Sequence, residues 1–141
     1  MIHPAFKEVE DVHEFQLKFD IPMPSHPAFP SQELLEFRIK FLEEELAEFK
    51  EAVDHRDMAK AADALVDLEY VLKGTVLIMG LGYAWSDLWR IVHRANMKKV
   101  RTYRVEDSKR GSEFDVTKPP GWVPPNIQRV LDFHSQEEDD S

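Results

Sequence analysis

SQELLEFRIKFLEEELAEFKEAVDH, residues 31–55, is the stretch on which the fold turns. Leu35, Ile39, Leu42, Leu46, Phe49 and Val53 recur at the spacing of one helix face, which predicts an α-helix from Gln32 to about His55 with that apolar stripe buried. Ser31 suits the N-cap and Glu33 supplies an acid in the first turn. Upstream, Pro22, Pro24, Pro27 and Pro30 forbid regular structure, and Val12, Phe15, Leu17 and Phe19 predict a short helix within residues 9–19. Downstream, a second long helix is expected from about Asp57 to Met79, stopped by Gly80 and Gly82. It is apolar on two sides, with Leu65, Leu68, Leu72 and Val76 on one and Tyr70, Leu77 and Ile78 on the other. That pattern suits a central bundle helix or one at a subunit interface. A third helix is expected from about Trp85 to Val100, then a turn-rich loop from Tyr103 to Gly121, then a short helix from Pro125 to Phe133. A scrap of strand near Val116 is the most that β propensity allows, and no sheet is expected. The class is all-α: two long antiparallel helices with shorter ones, in a single domain over residues 1–134.

Composition narrows the function. The chain of 141 residues has no cysteine, which excludes a disulfide framework, a thiolate metal site and a Cys nucleophile. It carries 27 Asp+Glu against 18 Lys+Arg, a net charge of −9, which argues against a nucleic-acid partner. No membrane span or signal peptide is expected, so a cytoplasmic location is the expectation. Four of the nine excess charges, Glu137, Glu138, Asp139 and Asp140, form a run at residues 135–141 that reads as a solvated, disordered tail.

The other acids are arranged. At about 100° per residue, Glu45 falls about 80° from the apolar stripe of the first long helix, beside Leu34, Phe41 and Ala52. Glu48 and Glu44 continue round from it as a ledge, while Glu43 and Glu51 point elsewhere. On a surface helix such acids are usually there for solubility. Asp63 and Asp67 on the second long helix are less ordinary, because they share a stripe with Ala59, Tyr70, Gly74 and Leu77. Two like charges one turn apart on an apolar stripe repel, and burial adds several kcal/mol per unpaired ion. The nearest cations, Lys60 and Lys73, are expected to point off the stripe. A hard divalent ion, Mg²⁺ or Mn²⁺, accounts for the acids most economically.

Asn96 and Lys99 lie on or beside the apolar face of the third helix, and an inward ammonium near bound metal suggests an anionic substrate such as a phosphate. A di-iron centre is disfavoured, since only Glu10-x-x-His13 supplies the pair that chemistry requires twice. The histidines have no zinc spacing, and no phosphate loop or dinucleotide fingerprint occurs. A non-catalytic helical oligomerisation module is the contrasting reading.

Glu44-Glu45-x-x-Glu48, Asp63-x-x-x-Asp67 and His93-Arg-Ala-Asn96-Met-Lys-Lys99, in that order, resemble the MazG-like all-α nucleoside triphosphate pyrophosphohydrolases. Lys118-Pro-Pro-Gly-Trp122 resembles a segment of short, often phage-encoded, members. The resemblance implies hydrolysis of a (deoxy)nucleoside triphosphate between its α and β phosphates, with dGTP or dUTP favoured and a nucleotide-pool role. Phosphoribosyl-ATP, the substrate of a related enzyme, is the alternative. It implies Glu45, Glu48, Asp63 and Asp67 as ligands for two or more Mg²⁺ or Mn²⁺ ions, and Glu44 as the group that orients or deprotonates water. Asn96, Lys99 and Lys118 would hold phosphates. Phe15, Phe19, Phe37 and Trp122 are candidate base-stacking residues. A homodimer or tetramer is implied as well. Two departures stand out: Ala64 occupies a position where many members have Glu, and Lys98 one where many have Ser.

Overall fold

Helix α1 (Lys7–Lys18), α2 (Gln32–Asp54) and α3 (Met58–Ile78) lie in the first of two compact units into which the chain divides, at Trp85/Ser86. A computed structural model describes residues 7–135; the acidic run Glu137–Asp140 lies outside the described residues. Ser31 caps α2, its side chain accepting from the Leu34 amide, as its position before the helical run predicts. Asp57 caps α3 in the same way, accepting from the Lys60 amide at 3.1 Å. The link between them is therefore short, and α2 and α3 form an antiparallel hairpin. Its register is legible in the contacts: Arg38 reaches Val71 and Thr75, whereas Glu48 shares a pocket with Asp63 near the turn.

The face of α2 that meets α3 is not its apolar stripe. The buried residues of α2 are Arg38 and Ala52, whereas Ile39, Leu46 and Val53 are 53%, 56% and 46% exposed. This corrects the expectation of a single buried stripe. Ala52 and Ala64 are both 3% exposed, and small residues let the two backbones approach along this line. The larger aliphatic side chains are left to one side, half open to solvent.

α1 covers the C-terminal half of α3. Val9 and Val12 pack on Leu77, with Met23 and Trp85 against them. α3 stops at Met79, and Gly80 follows at φ +67. A Cβ there would sit 1.9 Å from the His26 carbonyl oxygen, so only glycine permits the approach of the proline-rich connection, which is tied down by the Ala28 amide on the Met79 carbonyl.

The second unit holds α4 (Trp85–Asn96, beginning at the boundary residue), β1 (Val100–Arg101), a single 3-10 turn at Val105–Asp107, β2 (Val116–Thr117) and α5 (Ile127–His134). α4 ends at Asn96, four residues before the expected Val100. The Lys98 and Lys99 amides turn back to Ala95 and Asn96, and the chain then enters a two-stranded antiparallel ladder, Val100 opposite Thr117. This small sheet was not expected; two-residue strands carry too short a pattern to read. Arg101 lies against the rings of Tyr103 and Phe114, which stiffens the ladder from one side. His134 meets Asp87 at 3.0 Å, closing α5 onto α4. No helix among the described residues is long and apolar enough to cross a membrane.

The loop between the strands is held by one carboxylate. Asp115 accepts from the Ser108 hydroxyl at 2.7 Å, from the Val116 amide and from Arg110. The Ser108 hydrogen bond first, then Arg110, hold its pKa down at about 2 against an ordinary 3.8. A depressed acid stabilises the fold above its unfolded-state pKa and loses that contribution as pH falls through the folded value. The Ser108–Val116 amide resonances should therefore keep their native shifts above pH 3.8 and collapse towards random-coil values near pH 2. In Asp115→Asn this step should vanish, which an NMR pH titration reads directly.

Candidate metal and phosphate sites

One carboxylate oxygen each from Glu45, Glu48 and Asp67 lie within 4.8 Å of one another. The register of the α2–α3 hairpin sets this up: Glu45 sits one helical repeat beyond the buried Arg38 and faces α3 at Asp67, and Glu48 follows one turn later. The margin of the wheel on which Glu45 was placed is thus the middle of the helix–helix contact. Glu45 and Asp67 are partly buried and Glu48 is exposed, so the cluster is open on one side.

The electrostatics are those of a site short of positive charge. Burial, and then the neighbouring charges of Glu48 and Asp67 with a smaller contribution from Asp63, push the Glu45 carboxyl above its ordinary value. Its Oε2 is buried with no hydrogen-bond partner. The ion pairs formed among the described residues, Lys7–Asp11, Arg90–Asp87, Arg104–Glu106, Arg110–Asp115 and His134–Asp87, involve none of the three acids. An orphaned buried carboxylate oxygen within reach of two further carboxylates is a donor set that fits a hard divalent cation.

The other expected ligands fall around this triad. Asp63 is exposed and outside it; it lines a pocket of about 500 Å³ with Glu48, Glu51, Ala52, His55, Asp57, Lys60 and Ala64. Lys60, expected to point away, therefore shares that pocket with Glu48 and Asp63. Lys73 is buried with its ammonium 5.4 Å from the Trp85 ring. Glu44, adjacent to Glu45, is exposed and outside the triad. Ala64, where many members of the resembled family have Glu, is buried on α3.

The candidate phosphate-binding residues gather in the second unit. Lys99 and Lys118 lie 5.4 and 5.0 Å from the centre of the Trp122 ring, and the Trp122 Nε1–H donates to the Ala95 carbonyl at 2.7 Å. Trp122 is thus a platform that converges two ammonium groups from segments far apart in sequence. The Ala95 carbonyl, in the last turn of α4, thus accepts from both the Lys98 amide and the indole. Asn96 is exposed at the end of α4, and Lys99 lies beyond that end rather than on its helical face.

Of the candidate base-stacking residues, Phe15 and Phe19 meet at 4.8 Å, and Phe15 stands edge-on to Tyr70 at 5.3 Å. Tyr70 is one turn beyond Asp67 on α3, so these rings border the acid cluster along that helix. Phe37 pairs instead with Phe41 on α2. Arg38 is the residue that reading the sequence passed over. Its signal was its spacing, seven residues before Glu45 and fourteen before Ala52 on one helix face, which an apolar-stripe argument discards.

The family described as phosphoribosyl-ATP pyrophosphohydrolase matches residues 12–96, which takes in part of α1, all of α2, α3 and α4, and the segments 44–48 and 63–67; Lys99 and the segment 118–122 lie beyond it. No curated protein matches the chain significantly.

Proposed function

We propose, from the premise that this chain belongs to the phosphoribosyl-ATP pyrophosphohydrolase family, that its nucleotide pyrophosphohydrolase activity acts on (deoxy)nucleoside triphosphates. The products are the (deoxy)nucleoside monophosphate and pyrophosphate. Water adds to the α-phosphorus, the bridging bond to the β-phosphate breaks, and pyrophosphate leaves with the electron pair. The single observation that carries this reading is the Glu45–Glu48–Asp67 triad with its unpartnered buried oxygen. It is what a reaction at a polyphosphate needs, because the substrate brings charge of the same sign as the acids.

In this reading Glu45, Glu48 and Asp67, with Asp63, hold two or more Mg²⁺ or Mn²⁺ ions. When bound, such ions neutralise charge on the phosphates and lower the pKa of a water. The chain's own groups do the rest. Glu44, exposed beside the triad, orients the attacking water and takes its proton. Asn96, Lys99 and Lys118 bind phosphate oxygens, with the Trp122 ring presenting the two ammonium groups together. Phe15 and Phe19 border the base.

The half-exposed Leu35–Val53 stripe of α2 supports a second element of the proposal, self-association into a homodimer or tetramer. Ile39, Leu46 and Val53 on α2, with Leu65 and Leu72 on α3, are apolar positions that the described residues leave open. A second copy of the same hairpin is the partner whose surface matches by construction.

A second reading has its own support, because the matching family is described by phosphoribosyl-ATP, whose cleavage breaks the same kind of bond. The deciding experiment sets phosphoribosyl-ATP beside the common NTPs and dNTPs, with Mg²⁺ or Mn²⁺, and identifies the leaving group. Pyrophosphate from a nucleoside triphosphate, faster than from phosphoribosyl-ATP, is expected. Orthophosphate release, or faster turnover of phosphoribosyl-ATP, overturns the proposal. The oligomerisation-module alternative predicts no turnover and no rise in Tm with either ion.

A further inference from the structure

Gly74 is where all three helices of the first unit meet, and what meets there is polar. A Cβ on Gly74 would lie 2.5 Å from Gln16 Oε1 of α1 and 2.6 Å from Arg38 Nη2 of α2. Glycine inside a helix is unfavourable, so this residue makes room for two side chains that a core of this size has no packing reason to bury. Gln16 is 2% exposed, and its Nε2 has no hydrogen-bond partner. Arg38 is 7% exposed; its Nε donates to Thr75 Oγ1 at 3.1 Å and its Nη2 to the Val71 carbonyl at 2.7 Å. That uses two of five N–H groups, and among the described residues no carboxylate pairs with the charge. The centre thus holds a buried amide donor without a partner beside a guanidinium that meets the Phe41 ring at 5.5 Å and has no carboxylate.

Its place along α3 gives those donors a role. Asp67, Tyr70 and Gly74 follow each other turn by turn on one stripe, so the donors stand about 10 Å along the helix from the metal-binding carboxylate, at 1.5 Å per residue. Between them lies the Phe15–Tyr70 ring contact, with Phe15 and Phe19 42% and 54% exposed. Acids, then aromatic rings, then hydrogen-bond donors is the order in which a nucleotide presents phosphate, ring faces and base edge. We infer that Gln16 and Arg38 are the base-reading end of the substrate site, selecting nucleobases with a carbonyl acceptor at purine C6 or pyrimidine C4 (guanine and uracil) over those with an exocyclic amine at that position (adenine and cytosine). The half-exposed Phe15 ring moves off Tyr70 to admit the base, whose acceptor edge then reaches the Gln16 Nε2 and the free N–H groups of Arg38. Guanine offers O6 and N7, both acceptors, and arginine pairs with that edge through two hydrogen bonds. An exocyclic amine would set N–H against N–H, in a place where no water relieves the mismatch.

The inference rests on the pyrophosphohydrolase reading for its substrate, and its test separates the two. Turnover is measured with dGTP, dUTP, dATP and dCTP, and binding of dGMP, dUMP, dAMP and dCMP by calorimetry, for the wild type and Gln16→Glu. The wild type should favour the carbonyl bases at least about 10-fold in both assays. Gln16→Glu replaces the unpartnered donor by an acceptor beside Arg38; the protein should keep or raise its Tm while the preference falls about 10-fold or reverses. Selective dGMP and dUMP binding with no pyrophosphate from any triphosphate sinks the hydrolytic reading and leaves this inference standing. Turnover of all four with no base preference does the reverse. The wild-type panel alone overturns the inference if dATP or dCTP matches dGTP and dUTP, and so does a folded Gln16→Glu with an unchanged ratio.

Discussion

Glu45→Gln is expected to make the metal-free protein more stable and the enzyme inactive, a pairing that a structural carboxylate does not produce. Without a cation, the carboxylates of Glu45, Glu48 and Asp67 repel across less than 4.8 Å, and burial opposes charge on Glu45. A raised carboxyl pKa favours the fold below the unfolded value and loses that advantage as pH rises through the folded one. The metal-free wild type should accordingly melt at a lower temperature at pH 8 than near pH 5, and Gln at position 45 should flatten that slope while raising Tm at pH 8. A gain of about 1 kcal/mol corresponds to roughly 2–8 °C in a domain of this size. Mg²⁺ or Mn²⁺ should then raise Tm in the wild type and do so far less in the variant. Turnover should fall by more than about 100-fold, since even partners that only orient a metal ligand cost 10- to 100-fold when removed. Asp67→Asn should behave alike. Both proteins remaining active would dismiss the triad, and a large loss of stability in both would assign it to the core.

The second large effect is expected at the apolar stripe of α2. Ile39→Asp with Leu46→Asp should dissociate the assembly to monomers with little change in monomer stability. Both side chains are more than half exposed in a single copy, 53% and 56%, so neither substitution opens a cavity. Placed at the centre of an interface between two hairpins, each buried aspartate would cost about 2 kcal/mol or more of association energy. Two together would weaken the dissociation constant by about three powers of ten. Light scattering coupled to size exclusion reads the outcome: a wild type that runs as a monomer at micromolar concentration refutes self-association, and an unchanged oligomer in the double variant moves the interface elsewhere. Activity of the monomeric variant would further show whether one copy completes its own site.

Much of this protein was legible in its residues. Helix period, Ser31 as a cap, and Gly80 as a stop are local matters, decided by which backbone groups need partners and which φ a residue tolerates. The acids at Glu45, Glu48 and Asp67 were legible too, because unpaired charge on a buried stripe is costly wherever it occurs. The end of α4 and the 100–101/116–117 ladder were not, since hydrogen bonds across a turn-rich loop, including the three on Asp115, hold them. Nor could the sequence say which face of α2 meets α3. An apolar stripe announces only that it seeks cover, whereas the face that is covered is settled by packing, here with Arg38, Ala52 and Ala64 buried. That choice turned the larger aliphatic side chains outward and brought Arg38 and Glu45 in. The residues by themselves determined an all-α chain with acids set on two long helices; tertiary structure alone decided that one oxygen of Glu45 would be buried without a hydrogen-bond partner and that Gln16 and Arg38 would meet over a glycine. Periodicity is a property of one helix, and these are properties of three packed together.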